Sequence, residues 1–135
     1  MATFGWNPSF SVKVKRCDED HQKLFALIEE LNDAMRSRQG NLIIDGIVED
    51  LERYAQIHFT AEEALMAKAK YPQLAAHKAE HQKFIESVAK FRQELNSGNS
   101  GQSITVSSFM NNWLVNHILR TDKRYSTHLN ANGIA

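Results

Sequence analysis

The chain has 135 residues, 42% of them hydrophobic and 24% charged, which suits a single globular domain over 1–135 that folds without disulfides. Its 16 basic residues balance its 16 acidic ones, so the positive surplus that draws nucleic acid or an anionic membrane is missing. Cys17 is the single cysteine, no stretch reaches the roughly 18 apolar residues of a membrane span, and MATFGWNPSF has no basic segment leading into an apolar run; together these predict a cytoplasmic protein without membrane insertion.

Residues 1–17 contain Trp6, Pro8 and Phe10 and read as an extended N-terminal arm. The first predicted helix covers about 18–38, with Asp18, Glu19 and Asp20 in the first turn, where the helix dipole favours negative charge. Its stripe is His21, Leu24, Ile28, Leu31 and Met35, spaced by threes and fours. The second covers about 42–67, with Ile44, Ile47, Leu51, Tyr54, His58, Glu62 and Leu65 on one face. The third, about 72–96, opens at Pro72, whose missing N–H costs nothing at a first helical position. Leu74, His77, His81, Phe84, Val88, Phe91 and Leu95 form its stripe. A flexible SGNSG connection leads to the fourth, about 104–123, which carries Val106, Met110, Trp113 and His117. Helices of similar length with short connections predict an all-α, up-down-up-down antiparallel four-helix bundle.

Polar residues interrupt these stripes at matching places. His21 opens the first helix, His58 and Glu62 lie near the end of the second, His77 and His81 near the start of the third, and His117 and Asp122 near the end of the fourth. An up-down-up-down bundle gathers those ends. Residues four apart, such as His58 with Glu62 and His77 with His81, are offset by only about 40° and can reach one ion. His117 and Asp122 are five apart, about 140° on an ideal helix, so their meeting requires a local distortion such as a π-bulge or a widened last turn. Any one histidine on an apolar stripe is usually a satisfied core or boundary residue. Five histidines and two carboxylates collected at one end are too many for one tetrahedral zinc and suit two six-coordinate ions. His128 reads as a surface residue, Cys17 as a passive thiol just before the first helix, and Asp33 and Glu63 as exposed helix charges. Met35, Met66 and Met110 sit at helical spacing and read as core.

The segments DEDHQKL around His21, HFTAEEALM around His58 and Glu62, HKAEHQKF around His77 and His81, and WLVNHILRTDKRY around His117 and Asp122 resemble the hemerythrins, most closely the single-domain bacterial ones. The resemblance runs from Trp6 to about Leu129 and fills all seven ligand positions with the expected residue types. It implies reversible dioxygen binding at a non-haem di-iron centre, for storage, transport or delivery to an oxygen-consuming partner protein. His77, His81 and His117 would bind one iron, and His21 and His58 the other. Glu62, Asp122 and a solvent-derived oxo or hydroxo group would bridge the two irons, and the two-histidine iron would keep one position open. Phe59, Trp113, Leu114 and Ile118 match positions that line the family's dioxygen pocket, and Tyr125 would be a hydrogen-bond donor behind the ligands.

Three other readings compete. HKAEH also fits an inverted zinc-protease signature, but a zinc-dependent hydrolase would leave the other five residues unexplained. A ferritin-like oxidase needs Glu three residues before a ligating His, which occurs nowhere in the chain. Oxygen or redox sensing would use the same di-iron site. The sequence favours a carrier and no enzyme activity.

Overall fold

In the computed structural model, residues 6–98 and 101–135 are described. No strand occurs among the described residues. Four helical rods form the antiparallel bundle. The first is α1 (Lys15–Arg36). The second joins α2 (Gly40–Tyr54) to α3 (Thr60–Lys68) through a π-helical segment, Ala55–Phe59. The third is α4 (Leu74–Asn96). The fourth begins with α5 (Gln102–Trp113), widens into a π-helical segment, Leu114–Thr121, tightens into a 3₁₀ turn, Asp122–Tyr125, and ends in α6 (Ser126–Ala131). Around the bundle α1 packs on α2 and α5, and α4 packs on α2 and α5.

The ends of these rods differ from the sequence reading, and each difference has a local cause. The arm is short and tied down. Asp18 accepts the Val12 N–H at 2.8 Å and the Ser11 hydroxyl at 2.6 Å, so the helix starts at Lys15 and takes in Cys17. Pro72 does not open α4. It lies in a turn in which the Leu74 N–H donates to the Tyr71 carbonyl, and helical bonding begins at Leu74. Tyr71 fixes that turn by packing its ring edge-on to Tyr125. The chain beyond Tyr125 remains helical to Ala131 because Leu129 is fully buried. His128 is half-buried rather than a surface residue, and its Nε2 donates to the Ala69 carbonyl at 2.6 Å. Part of the SGNSG connection, residues 99–100, lies outside the described residues. At the neighbouring turn between α1 and α2, a Cβ on Gly40 would stand 3.0 Å from Ser103 Cβ, so the α2 start can approach α5 closely only without a side chain.

The apolar interior has two parts. The larger is built from the stripes, including Leu24, Ile28, Leu31, Ile47, Leu51, Phe84, Val88, Val106 and Met110. The smaller joins Val12, Val14 and Cys17 to Met66, Tyr71, Tyr125 and Leu129. Between them lies a layer of buried polar residues, so the polar cluster is sealed from both sides. Met66 and Met110 are fully buried in these cores, while Met35 is half-buried at the edge of the larger one. Asp33 is exposed.

Leu51 is completely buried in the larger core. Leu51→Ala is expected to lower the unfolding free energy by about 2–5 kcal/mol. Chemical denaturation of the metal-free protein measures this, and an unchanged midpoint would mean that the larger core does not carry the fold.

Candidate metal centre

The polar layer holds the seven residues read from the sequence: His21, His58, Glu62, His77, His81, His117 and Asp122, each at most 2% exposed. The rods deliver them by ordinary helical spacing in three cases and by distortion in the fourth. The π-helical segment Leu114–Thr121 lies between α5 and Asp122, and within it five residues make nearly one turn. His117 Nε2 and Asp122 Oδ1 are thereby brought to 3.0 Å. The distortion required by the five-residue spacing is therefore present. A second π-helical segment, around His58, carried no such signal, because His58 and Glu62 are four apart.

The facing atoms fall into two groups that share both carboxylates. Glu62, His77, His81, His117 and Asp122 offer donor atoms within 4.8 Å of one another, and so do His21, His58, Glu62 and Asp122. His21 Nε2 lies 3.0 Å from Asp122 Oδ2 and 3.7 Å from Glu62 Oε2. His58 Nε2 lies 3.2 Å from Glu62 Oε2, and His81 Nε2 3.0 Å from Glu62 Oε1. His77 Nε2 is 2.9 Å from both Glu62 Oε1 and Asp122 Oδ1. Despite this crowding, the Nε2 atoms of His21, His58, His81 and His117 and both oxygens of Asp122 have no hydrogen-bond partner. Buried polar atoms rarely stand unsatisfied. Lone pairs converging from imidazole and carboxylate, without aligned protons between them, fit a bound metal.

Behind the histidines stands a set of carboxylates that the sequence did not reveal. Asp20 accepts from His58 Nδ1 at 3.0 Å, Glu63 from His81 Nδ1 at 2.7 Å and Glu80 from His117 Nδ1 at 2.9 Å. A carboxylate at Nδ1 fixes the tautomer, leaves Nε2 as the donor toward the cluster and raises its basicity. Glu63 is thus no idle exposed charge; it is half-buried against His81. Each of these acids is adjacent in sequence to a residue of the cluster, but neighbours on a helix point about 100° apart. Their partners lie on other rods, which is why adjacency gave no useful signal. Thr121 Oγ1 also donates to Glu80 at 3.0 Å. The Tyr125 hydroxyl donates to Glu62 Oε2 at 2.8 Å.

Aromatic faces hold the same rings. Phe59 stacks on His81 at 3.8 Å, Trp113 on His117 at 3.9 Å and Tyr54 on His58 at 5.0 Å. Leu114 and Ile118 are fully buried in the larger core, and Phe59 is nearly so. Of the four expected pocket residues, Phe59 and Trp113 pack on ligand histidines, and both also meet Phe84.

The electrostatics are those of a charged layer in an apolar bundle. Burial disfavours charge on His21, but Asp122 and Glu62 outweigh it and raise the imidazole from 6.5 to about 10. Burial likewise opposes charge on His77, and the same two carboxylates raise it to about 9. Burial pushes Glu62 and Asp122 up, yet the surrounding histidines hold both well below the usual carboxylate range. Asp20 is lowered to about 2, because its bonds to His58 and Arg16 overcome burial. Burial, reinforced by Glu62, pushes the Cys17 thiol far up, so it stays protonated and inert.

The match to a family model follows this geometry. The Hemerythrin HHE cation binding domain matches residues 12–129. The chain belongs to the hemerythrin family. Among its relatives is a bacteriohemerythrin of Methylococcus capsulatus, 31% identical over 135 residues, covering 97% of this chain and 100% of the relative. A hemerythrin-like protein of Naegleria gruberi is 35% identical over 122 residues, covering 90% of each chain. The crystal structure of a wild-type hemerythrin superimposes with a TM-score of 0.79 at 32% identity, covering 95% of this chain and 98% of that one. No helix among the described residues is long and apolar enough to cross a membrane.

Two predictions follow from the charges and their supports. His21 and His77 are raised above their ordinary value, so in the metal-free protein their stabilisation is complete below about pH 6.5 and is lost as pH rises through 9 to 10. Metal competes with those same protons, so its binding strengthens over the same interval. The melting temperatures of metal-loaded and chelator-stripped protein should therefore diverge between pH 6 and 9; a constant gap would refute the shared-proton assignment. Glu80→Gln should weaken metal retention by about 10- to 100-fold while leaving helix content unchanged. Competition with a chelator measures it, and wild-type retention would reduce Glu80 to a surface charge.

Proposed function

We propose that the chain binds dioxygen reversibly at a non-haem di-iron centre, for oxygen storage, transport or delivery to an oxygen-consuming partner. The observation that carries this reading is that a three-histidine and a two-histidine group share Glu62 and Asp122 in a fully buried layer. Two iron ions, when bound, supply the reversible electron transfer that dioxygen binding needs. His77, His81 and His117 would hold one, and His21 and His58 the other, with Glu62, Asp122 and an oxo or hydroxo group between them. The two-histidine group offers one residue fewer than the three-histidine group, so an ion held there would keep room for an outside ligand.

The remaining work belongs to the chain. Five imidazoles and only two carboxylates make a histidine-rich donor set, which suits reversible binding better than a carboxylate-rich oxidase site. Tyr125 holds Glu62 by its second oxygen and so limits rotation of that bridge. Phe59, Trp113, Leu114 and Ile118 exclude water that would otherwise strip the ligand from the site. A carrier rather than an enzyme fits the placement of Glu80. As the base of a zinc hydrolase it would face the ion held by His77 and His81; instead it is committed to His117 Nδ1 and Thr121.

Anaerobic reduction followed by oxygen titration, watched by absorbance, tests the proposal. About two irons per chain and a coloured oxygenated form that bleaches on deoxygenation are expected. Full iron loading without a reversible spectral change would sink the carrier reading. In His77→Ala iron should be lost, and unchanged iron content would break the ligand assignment. Leu114→Ala should keep its iron but change the autoxidation rate, because the wall that excludes water is thinned.

A further inference from the structure

Two of the pocket residues expected from the sequence pack on the same half of the centre. Phe59 stacks on His81 and Trp113 on His117, both in the three-histidine group. Over the two-histidine group the stacked aromatic is Tyr54, whose ring lies 25° from the plane of His58. Its hydroxyl is buried with no hydrogen-bond partner, and the residue is only 8% exposed.

That hydroxyl is expensive where it stands. A buried hydroxyl left unpaired costs on the order of 1–3 kcal/mol. The ring alone satisfies the packing: it meets Phe59 edge-on at 5.8 Å and Phe84 at 6.1 Å. A phenylalanine would keep both contacts without the polar group. Tyr54 and His58 also form the inner wall of a cleft of about 350 Å³ between α1 and α2, lined in addition by Asp20, Leu27 and Ile57.

We propose that Tyr54 is a hydrogen-bond donor to a small ligand with a terminal acceptor atom, such as dioxygen or a linear anion, held on the two-histidine side. The proposal rests on the di-iron reading and adds a polar contact to a pocket otherwise read as purely apolar. Tyr54 positions the ligand and slows its escape. Its neighbour across the cluster, Trp113, has an equally unpartnered Nε1 but stacks on His117, in the other group.

Azide binding to the oxidised, iron-loaded protein tests it. Tyr54→Phe is expected to retain the iron and the melting temperature of the wild type while binding azide about 10-fold more weakly, the loss of one neutral hydrogen bond. The vibrational stretch of bound azide should shift between H₂O and D₂O in the wild type and should not shift in Tyr54→Phe. A purely structural Tyr54 would leave that isotope shift untouched. Equal affinity and equal isotope shift in the two proteins would overturn the proposal alone. A wild type that loads iron and binds no azide would overturn the di-iron reading along with it. Because the isotope shift is first read on the wild type, its absence there decides against Tyr54 even if the variant does not fold.

Discussion

Two carboxylates buried face to face in a small helical bundle set the terms for everything else in this protein. Glu62 and Asp122 are both fully buried, and each raises the cost of charging the other. Removing a single anion from water costs several kcal/mol even after relaxation. The bundle offsets this with imidazoles from all four rods, a hydroxyl from Tyr125 and, on our reading, two divalent or trivalent cations. The layer must also be kept dry, since water would weaken every one of those attractions. The short arm and α6 do that from below, through Val12, Val14 and Leu129, and the stripes of the four rods do it from above.

Rigidity follows from the same constraint. A ligand histidine that could rotate would lose its cation to water. His58, His81 and His117 are each held at both ends, by a carboxylate on Nδ1 and by an aromatic ring on a face. His21 and His77 lack that double support: His21 has an unpartnered Nδ1 and His58 as its ring neighbour, and His77 meets His81 and His117 edge-on. Each half of the cluster thus contains one histidine held mainly by its neighbours in the layer.

The bundle and the seven cluster residues were legible because both are written in helical period. Apolar residues at threes and fours announce a rod, and a polar residue on such a stripe announces a reason for burial. The five-residue spacing of His117 and Asp122 even announced its own distortion. What stayed hidden depends on how one rod is rotated against another. Asp20, Glu63 and Glu80 serve histidines on rods other than their own, and no periodicity within one helix encodes that. The same holds for the Tyr71 turn that displaces Pro72 from the start of α4, and for His128, which is drawn inward by the Ala69 carbonyl. Tyr54 was visible only as a core aromatic, because its missing partner is a fact of three dimensions.

The two π-helical segments show where the sequence has given up local stability for the site. A π turn bonds less favourably than an α turn and is rare outside functional places. Here both occur in the rods that carry a carboxylate of the pair, and each contains a histidine of the cluster: His58 in one and His117 in the other. The first rod and α4 carry histidines alone and run as uninterrupted α-helix. A rod that presents only imidazoles can meet the centre with ordinary geometry. In the fourth rod the five-residue spacing of His117 and Asp122 requires the widening, whereas in the second His58 and Glu62 are four apart and their spacing alone does not. Both distortions fall in the rods that carry the two shared carboxylates.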